Sequence, residues 1–112
     1  MNAERDSTPV HAAVLRVELR IPGARSMKDK RAGIRPVIDR LRHRLHVSVA
    51  EIGAQELRGR AVLGVALVAS GAAELEALVG KTVRIVDGAG GVEAMEIEVS
   101  PFDGEGVLGG AP

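Results

Sequence analysis

The sequence predicts an α+β fold of order βαββαβ, a four-stranded antiparallel sheet with two helices on one face. Three observations predict it. Apolar and polar residues alternate over residues 11–21 and 92–100, the period of a strand with one covered side. Two other segments, 26–45 and 71–86, space their apolar residues by three and four, as an amphipathic helix does. Between them lie a short strand-like run and a longer run that is apolar on both faces. Strand, helix, strand, strand, helix, strand is the split βαβ, ferredoxin-like arrangement, with the first and third strands central and the fourth beside the first.

The first strand sets Ala13, Leu15, Val17, Leu19 and Ile21 on one side and Arg16, Glu18 and Arg20 on the other, and Pro22-Gly23 ends it. Ser26-Met27-Lys28-Asp29 has the form of a capping box, a hydroxyl followed three residues later by a carboxylate. Ile34, Val37, Ile38, Leu41 and Leu45 then form an apolar stripe, so a helix should run to Leu45. Pro36 lies opposite that stripe and removes one backbone hydrogen bond, which predicts a kink or a helix in two pieces. Residues 47–52 read as the second strand, 53–59 as a turn, and 60–69 as a central strand covered on both sides. Ser70-Gly71 opens the second helix through Leu75, Leu78, Val79, Val83 and Val86, which ends at the glycines after Asp87. In the last strand Met95, Ile97 and Val99 should point inward. Glu96 and Glu98 should point outward, near Arg16 and Arg20. The chain thus divides into a flexible N-terminal arm, 1–10, one ferredoxin-like domain, 11–100, and a disordered glycine-rich tail, 101–112.

A single domain of 112 residues is long enough to bury roughly 60–70% of its unfolded surface. Phe102 is the only aromatic residue, so the core must be built from Val, Leu, Ile, Ala and Met. The absence of cysteine excludes disulfides, thiolate nucleophiles and Cys-ligated zinc, and it suits a reducing compartment. No stretch approaches the roughly 18 apolar residues of a membrane span, and the N-terminus lacks an apolar signal core. Both features predict a cytoplasmic protein without a membrane partner.

Charge is where the sequence speaks about function. Residues 25–44 hold eight of the fifteen basic side chains and two acids, a local charge of +6 in a chain of formal charge zero. Residues 71–112 carry eight acids against Lys81 and Arg84, a charge of −6. On the first helix Lys28, Arg31, Arg35 and Arg42 fall within about 60° of one another beside the apolar stripe, and Arg40 and Arg44 flank its other side. A solvated helix face with long stems shielding the core is one reading. Solvated faces usually mix charge signs, however, whereas this one is dominated by cations. The preferred reading is contact with structured RNA, ribosomal RNA above all, through Arg25, Lys28, Lys30, Arg31, Arg35, Arg42 and Arg44 gripping phosphates. DNA is not expected. RNA-recognition motifs share the topology but stack bases on aromatics of the central strands. Those strands here offer Arg16, Glu18, Val62, Gly64 and Ala66, so binding should use the helical side.

The third strand carries a second signal. In a lone four-stranded sheet either Val62, Ala66 and Val68 or Leu63, Val65 and Leu67 are left uncovered, and an exposed apolar patch commonly marks a protein interface. Homodimerisation through the sheet is the preferred explanation. The alternative functional reading is therefore a homo-oligomeric module that binds an acidic protein partner. A third, an enzyme or small-molecule sensor, rests on fold analogy alone.

No catalytic, metal or cofactor site is expected. His43 and His46 are three residues apart but lack a third ligand. Ser26, Ser48, Ser70 and Ser100 have no recognisable base beside them. Gly88-Ala89-Gly90-Gly91 follows a helix and precedes a strand, the reverse of a phosphate cradle.

Several blocks, in this order, resemble a known family: Leu15-Arg16-Val17-Glu18-Leu19; Pro22-Gly23-Ala24-Arg25-Ser26-Met27-Lys28-Asp29-Lys30-Arg31; Leu41-Arg42-His43-Arg44 into Val47-Ser48-Val49-Ala50-Glu51; and Gln55-Glu56-Leu57 before Arg60-Ala61-Val62-Leu63-Gly64. They resemble the YlxP-like family of small uncharacterised bacterial proteins over residues 13–100. The resemblance implies a ferredoxin-like fold and, because the family's genes tend to lie among those for translation initiation and ribosome maturation, a ribosome- or RNA-associated role. No activity comes with it. Where relatives often carry Trp, and Phe or Tyr, this chain has Arg58 and Leu45.

Overall fold

Strand β1 (His11–Arg20) buries Ala13, Leu15, Val17 and Leu19 on one side and exposes Val14, Arg16 and Arg20 on the other, so its period of two is read directly into the sheet. The computed structural model describes residues 6–102, and the remaining elements are α1 (Met27–Leu45), β2 (Ser48–Gly53), β3 (Arg60–Ala69), α2 (Ala72–Asp87) and β4 (Glu93–Phe102). All neighbouring strands are antiparallel, in the order β2-β3-β1-β4. This is the expected ferredoxin-like topology, with β1 and β3 central. Residues 1–5 of the anticipated arm and 103–112 of the anticipated tail lie outside the described residues. Within them β4 continues through Pro101 and Phe102, which pair with Ala13 and Ala12, so the ordered sheet runs two residues beyond the expected boundary at 100.

Both helices cover one face of the sheet. Ile34, Val37 and Leu41 of α1 and Thr82 and Val86 of α2 pack over Leu15, Val17, Leu19, Leu63, Val65 and Leu67. Thr82 is accommodated by donating its hydroxyl proton back to the Leu78 carbonyl oxygen, 2.9 Å away. The two helices lie side by side. Gly33 sits where a Cβ would come within 2.9 Å of the Ile21 side chain and 3.4 Å of the Gly91 carbonyl oxygen. A glycine inside a helix costs about 0.5–1 kcal/mol relative to alanine, and this close approach explains its presence.

Three expectations are corrected. α1 is one continuous helix of 19 residues, so of the two outcomes expected at Pro36 the helix in two pieces does not occur. The proline is exposed, as is Ala32 one turn earlier, so the carbonyl deprived of its i+4 donor faces water and the helix has no need to break there. Met95 does not point inward. The register of β4 shifts between Glu18 and Leu19, pairing Glu96 with Glu18 and Ala94 with Leu19, so Met95 is the extra residue of a β-bulge. It is about half exposed, with its sulfur 3.4 Å from Arg60 Nη2. The same bulge splits the expected acidic pair: Glu98 lies 3.9 Å from Arg16, but Arg20 pairs at 2.7 Å with Glu93, not Glu96.

Candidate nucleic-acid interface

The geometry of the basic helix begins at its cap. Ser26 is extended (φ −151°, ψ 167°), and its hydroxyl oxygen accepts from the Asp29 N–H at 3.0 Å. Asp29 reaches back to accept from the Arg25 N–H at 2.9 Å, one residue earlier than in a standard capping box. The Arg25 carbonyl oxygen accepts from Arg58 Nη1 at 2.7 Å, which ties the β2–β3 turn to the helix entry. At the other end His46 is left-handed (φ 56°), and its N–H donates to the Arg42 carbonyl oxygen. The helix is therefore closed by local bonds at both ends, and the direction of each cation follows from its position around the axis.

Arg25, Lys28, Arg31, Arg35 and Arg44 all have exposed side chains, as does Arg40. None of them forms an ion pair with a carboxylate among the described residues, where the pairs present involve Arg16, Arg20 and Lys30. Lys28, Arg31 and Arg35 line one hollow with Ala32, Pro36 and Asp39. Arg42 is tethered as well as exposed: its Nη2 donates to the Val49 carbonyl oxygen at 2.7 Å, so one edge of the guanidinium clamps α1 to β2 and the other edge remains available.

Lys30 departs from the expected set. It is 1% exposed, its ammonium lies 2.8 Å from Glu51 Oε2, and it donates to the Ala54 carbonyl oxygen at 2.7 Å. Glu51 Oε2 is buried and accepts no well-aligned hydrogen bond among the described residues, so the contact is a charge pair more than a directed bond. Lys30 is a structural cation and is removed from the interface. A signal was there to be read: Lys30 stands four residues before Ile34 and seven before Val37, on the buried stripe, and Glu51 lies two residues from buried Val49 on the same strand face. A lysine and a glutamate both occupying core positions point to each other.

A second group of cations was only half seen in the sequence. Arg40 and Arg44 come together with Lys81 and Arg84 of α2 around a groove of ≈ 370 Å³ floored by Leu45, Ile85 and Gly88. Lys81 and Arg84 belong to the acidic C-terminal part of the chain, and their place beside α1 is set by helix packing.

On the opposite face of the molecule the β3 ambiguity is resolved: Leu63, Val65 and Leu67 are buried under the helices, leaving the side of Val62, Ala66 and Val68 open. Val68 is 70% exposed and Ala66 is exposed, but Val62 is only 8% exposed and leaves the expected interface set. It nestles against Gly53, its partner in β2, where a Cβ would lie 3.3 Å from its own. The open face holds a basin of ≈ 520 Å³ whose lining includes Val14, Ile52, Ala66 and Gly64, with Arg16 and Glu98 in its wall. Among the described residues no three of His, Asp and Glu gather as metal ligands, and no helix is long and apolar enough to cross a membrane.

Comparison with known proteins identifies the family and leaves the activity open. An uncharacterised protein, YlxP of Bacillus subtilis (strain 168), is 31% identical over 64 residues, which make up 57% of this chain and 70% of that protein. The family described as "Protein of unknown function (DUF503)" matches residues 12–99. With most of its length accounted for in this way, the chain belongs to the DUF503 family of proteins of unknown function.

Proposed function

We propose that this protein is a non-enzymatic accessory factor of the cytoplasm that contacts structured RNA, ribosomal RNA being the favoured target, through phosphates held by α1. One observation carries the reading: Arg25, Lys28, Arg31 and Arg35 extend into solvent along and beside one helix with no carboxylate pairing them among the described residues. Unpaired surface cations are the electrostatic footprint of polyanion binding. The sheet supports it from the other side, because its open face carries the charged Arg16, Glu18 and Glu98, and its one aromatic, Phe102, stands at the end of edge strand β4 and not on the central strands. Titration of ribosomal RNA at several salt concentrations tests the reading. With about four phosphates engaged, log affinity falls against log salt with a slope of about −3. Absence of binding at low salt, or binding unaffected by changing Lys28, Arg31 and Arg35 together to Gln, rejects it.

The basin on the sheet supports a second reading, self-association through the open face. Val14, Ile52 and Val68 are each more than half exposed there, an unusual concentration for a small sheet. Arg16 stands between Glu18 and Glu98, so the face carries both charge signs and is complementary to a second copy of itself under two-fold symmetry. Light scattering should return twice the chain mass, and Val68→Asp should return it to the monomer. A monomeric wild type at micromolar concentration removes this reading.

A further inference from the structure

We propose that the groove between α1 and α2 is a second phosphate-binding row, and that the two rows flanking α1 together grip both strands of an RNA duplex. The inference rests on the RNA reading above and goes on to name the form of RNA.

Around α1 the cations fall into two sets. Lys28, Arg31 and Arg35, with the free edge of Arg42, lie on the β2 side of the helix. Arg40 and Arg44 lie on the α2 side, where they meet Lys81 and Arg84 across the groove. The groove is lined by four cations, two apolar side chains and a glycine, with no carboxylate in its wall. Bringing four positive charges together opposes folding by mutual repulsion. Among the described residues no ion pair relieves any of the four, so an external anion is the natural counter-charge.

The separation of the rows selects the ligand. A helix with its side chains is about 10–12 Å across, so rows on its two flanks are set apart by about that width. Around the axis between them stand Ala32 and Pro36, which offer a phosphate nothing, and Asp39, which repels one. A single strand following one row leaves the other unsatisfied. A duplex presents two phosphate backbones separated by a groove, and α1 lying along that groove brings one backbone to each row. Recognition of this kind reads A-form shape and needs no aromatic platform, in keeping with a chain whose single aromatic residue is Phe102.

The test compares a blunt RNA duplex of about 16 base pairs, the span covered by a typical duplex-binding domain, with its single strand. Three proteins are used: wild type, a β2-side variant (K28Q, R31Q and R35Q) and a groove variant (R40Q, R44Q, K81Q and R84Q). All substituted side chains are exposed, and circular dichroism checks that the fold is kept. Wild type should prefer the duplex by about tenfold or more, and each variant should lose that preference while flattening the salt slope by about 2 or more. If the groove variant binds the duplex as wild type does while the β2-side variant is weakened, the groove proposal fails and the RNA reading stands. If wild type binds neither RNA, both fail together. Equal affinity for duplex and single strand, or displacement of the duplex by poly-glutamate at equal charge concentration, overturns the assignment of a duplex ligand.

Discussion

Lys28 and Lys30 stand two residues apart on α1, with the same charge and the same reach, yet the fold treats them oppositely. Lys28 points along the exposed flank with no carboxylate partner among the described residues. Lys30 turns under the helix, 1% exposed, and joins α1 to β2 through Glu51 and the Ala54 carbonyl oxygen. The difference teaches that the charge of a segment measures neither its surface potential nor its stability until each cation is assigned to a side of the helix. In water an exposed lysine costs nothing and contributes little. A buried one is tolerable only with its counter-charge in place.

The comparison can be broken most forcefully at Glu51. Removing one partner of a buried pair leaves a desolvated charge uncompensated, at a cost of about 3–5 kcal/mol. Because Glu51 is itself partly open to solvent, Glu51→Gln should fall at the lower end of that range, seen as a drop in urea midpoint with unchanged m-value. A loss below about 1 kcal/mol would mean that Lys30 finds water or another partner. Lys30→Met, which removes the buried charge and keeps most of the stem, should cost less than Glu51→Gln, about 1–2 kcal/mol, chiefly through the unsatisfied Ala54 carbonyl and the orphaned carboxylate. The reverse ranking would show that the stem, and not the charge, is what this position needs.

On the exposed flank Lys28→Gln should alter stability by no more than about 0.5 kcal/mol while weakening RNA binding. A stability change as large as that of Lys30→Met would erase the contrast. A modest gain, the one substitution expected to stabilise, concerns the turn that Lys30 anchors. Ala54 is left-handed, with φ 55°, where a Cβ costs about 1–2 kcal/mol. Glycine recovers that cost less its own entropic penalty, so Ala54→Gly should raise stability by about 0.5–1 kcal/mol in thermal unfolding.

Much of this arrangement was legible in the chain. Alternation in β1, the three-and-four spacing of Ile34, Val37 and Leu41, and the doubly apolar 60–69 run identified the elements. Element order then led to the sheet order, because short connections leave few ways to pair such strands. Ser26 and Asp29 announced the helix start. Three things were not legible for one shared reason. The bulge at Met95 depends on register against β1, the burial of Val62 depends on Gly53 across a strand pair, and the meeting of Arg40 and Arg44 with Lys81 and Arg84 depends on how two helices pack.

By itself, then, the sequence determined the number, kind and order of the elements and the concentration of positive charge on α1, since periodicity and composition are local properties that each segment carries alone. Tertiary structure decided which of those charges reach solvent, which is spent holding α1 to β2, and which join charges from α2 to make a second basic row. A side chain's dielectric surroundings and its counter-charges come from residues far away in the chain, and these are brought near only when the elements pack.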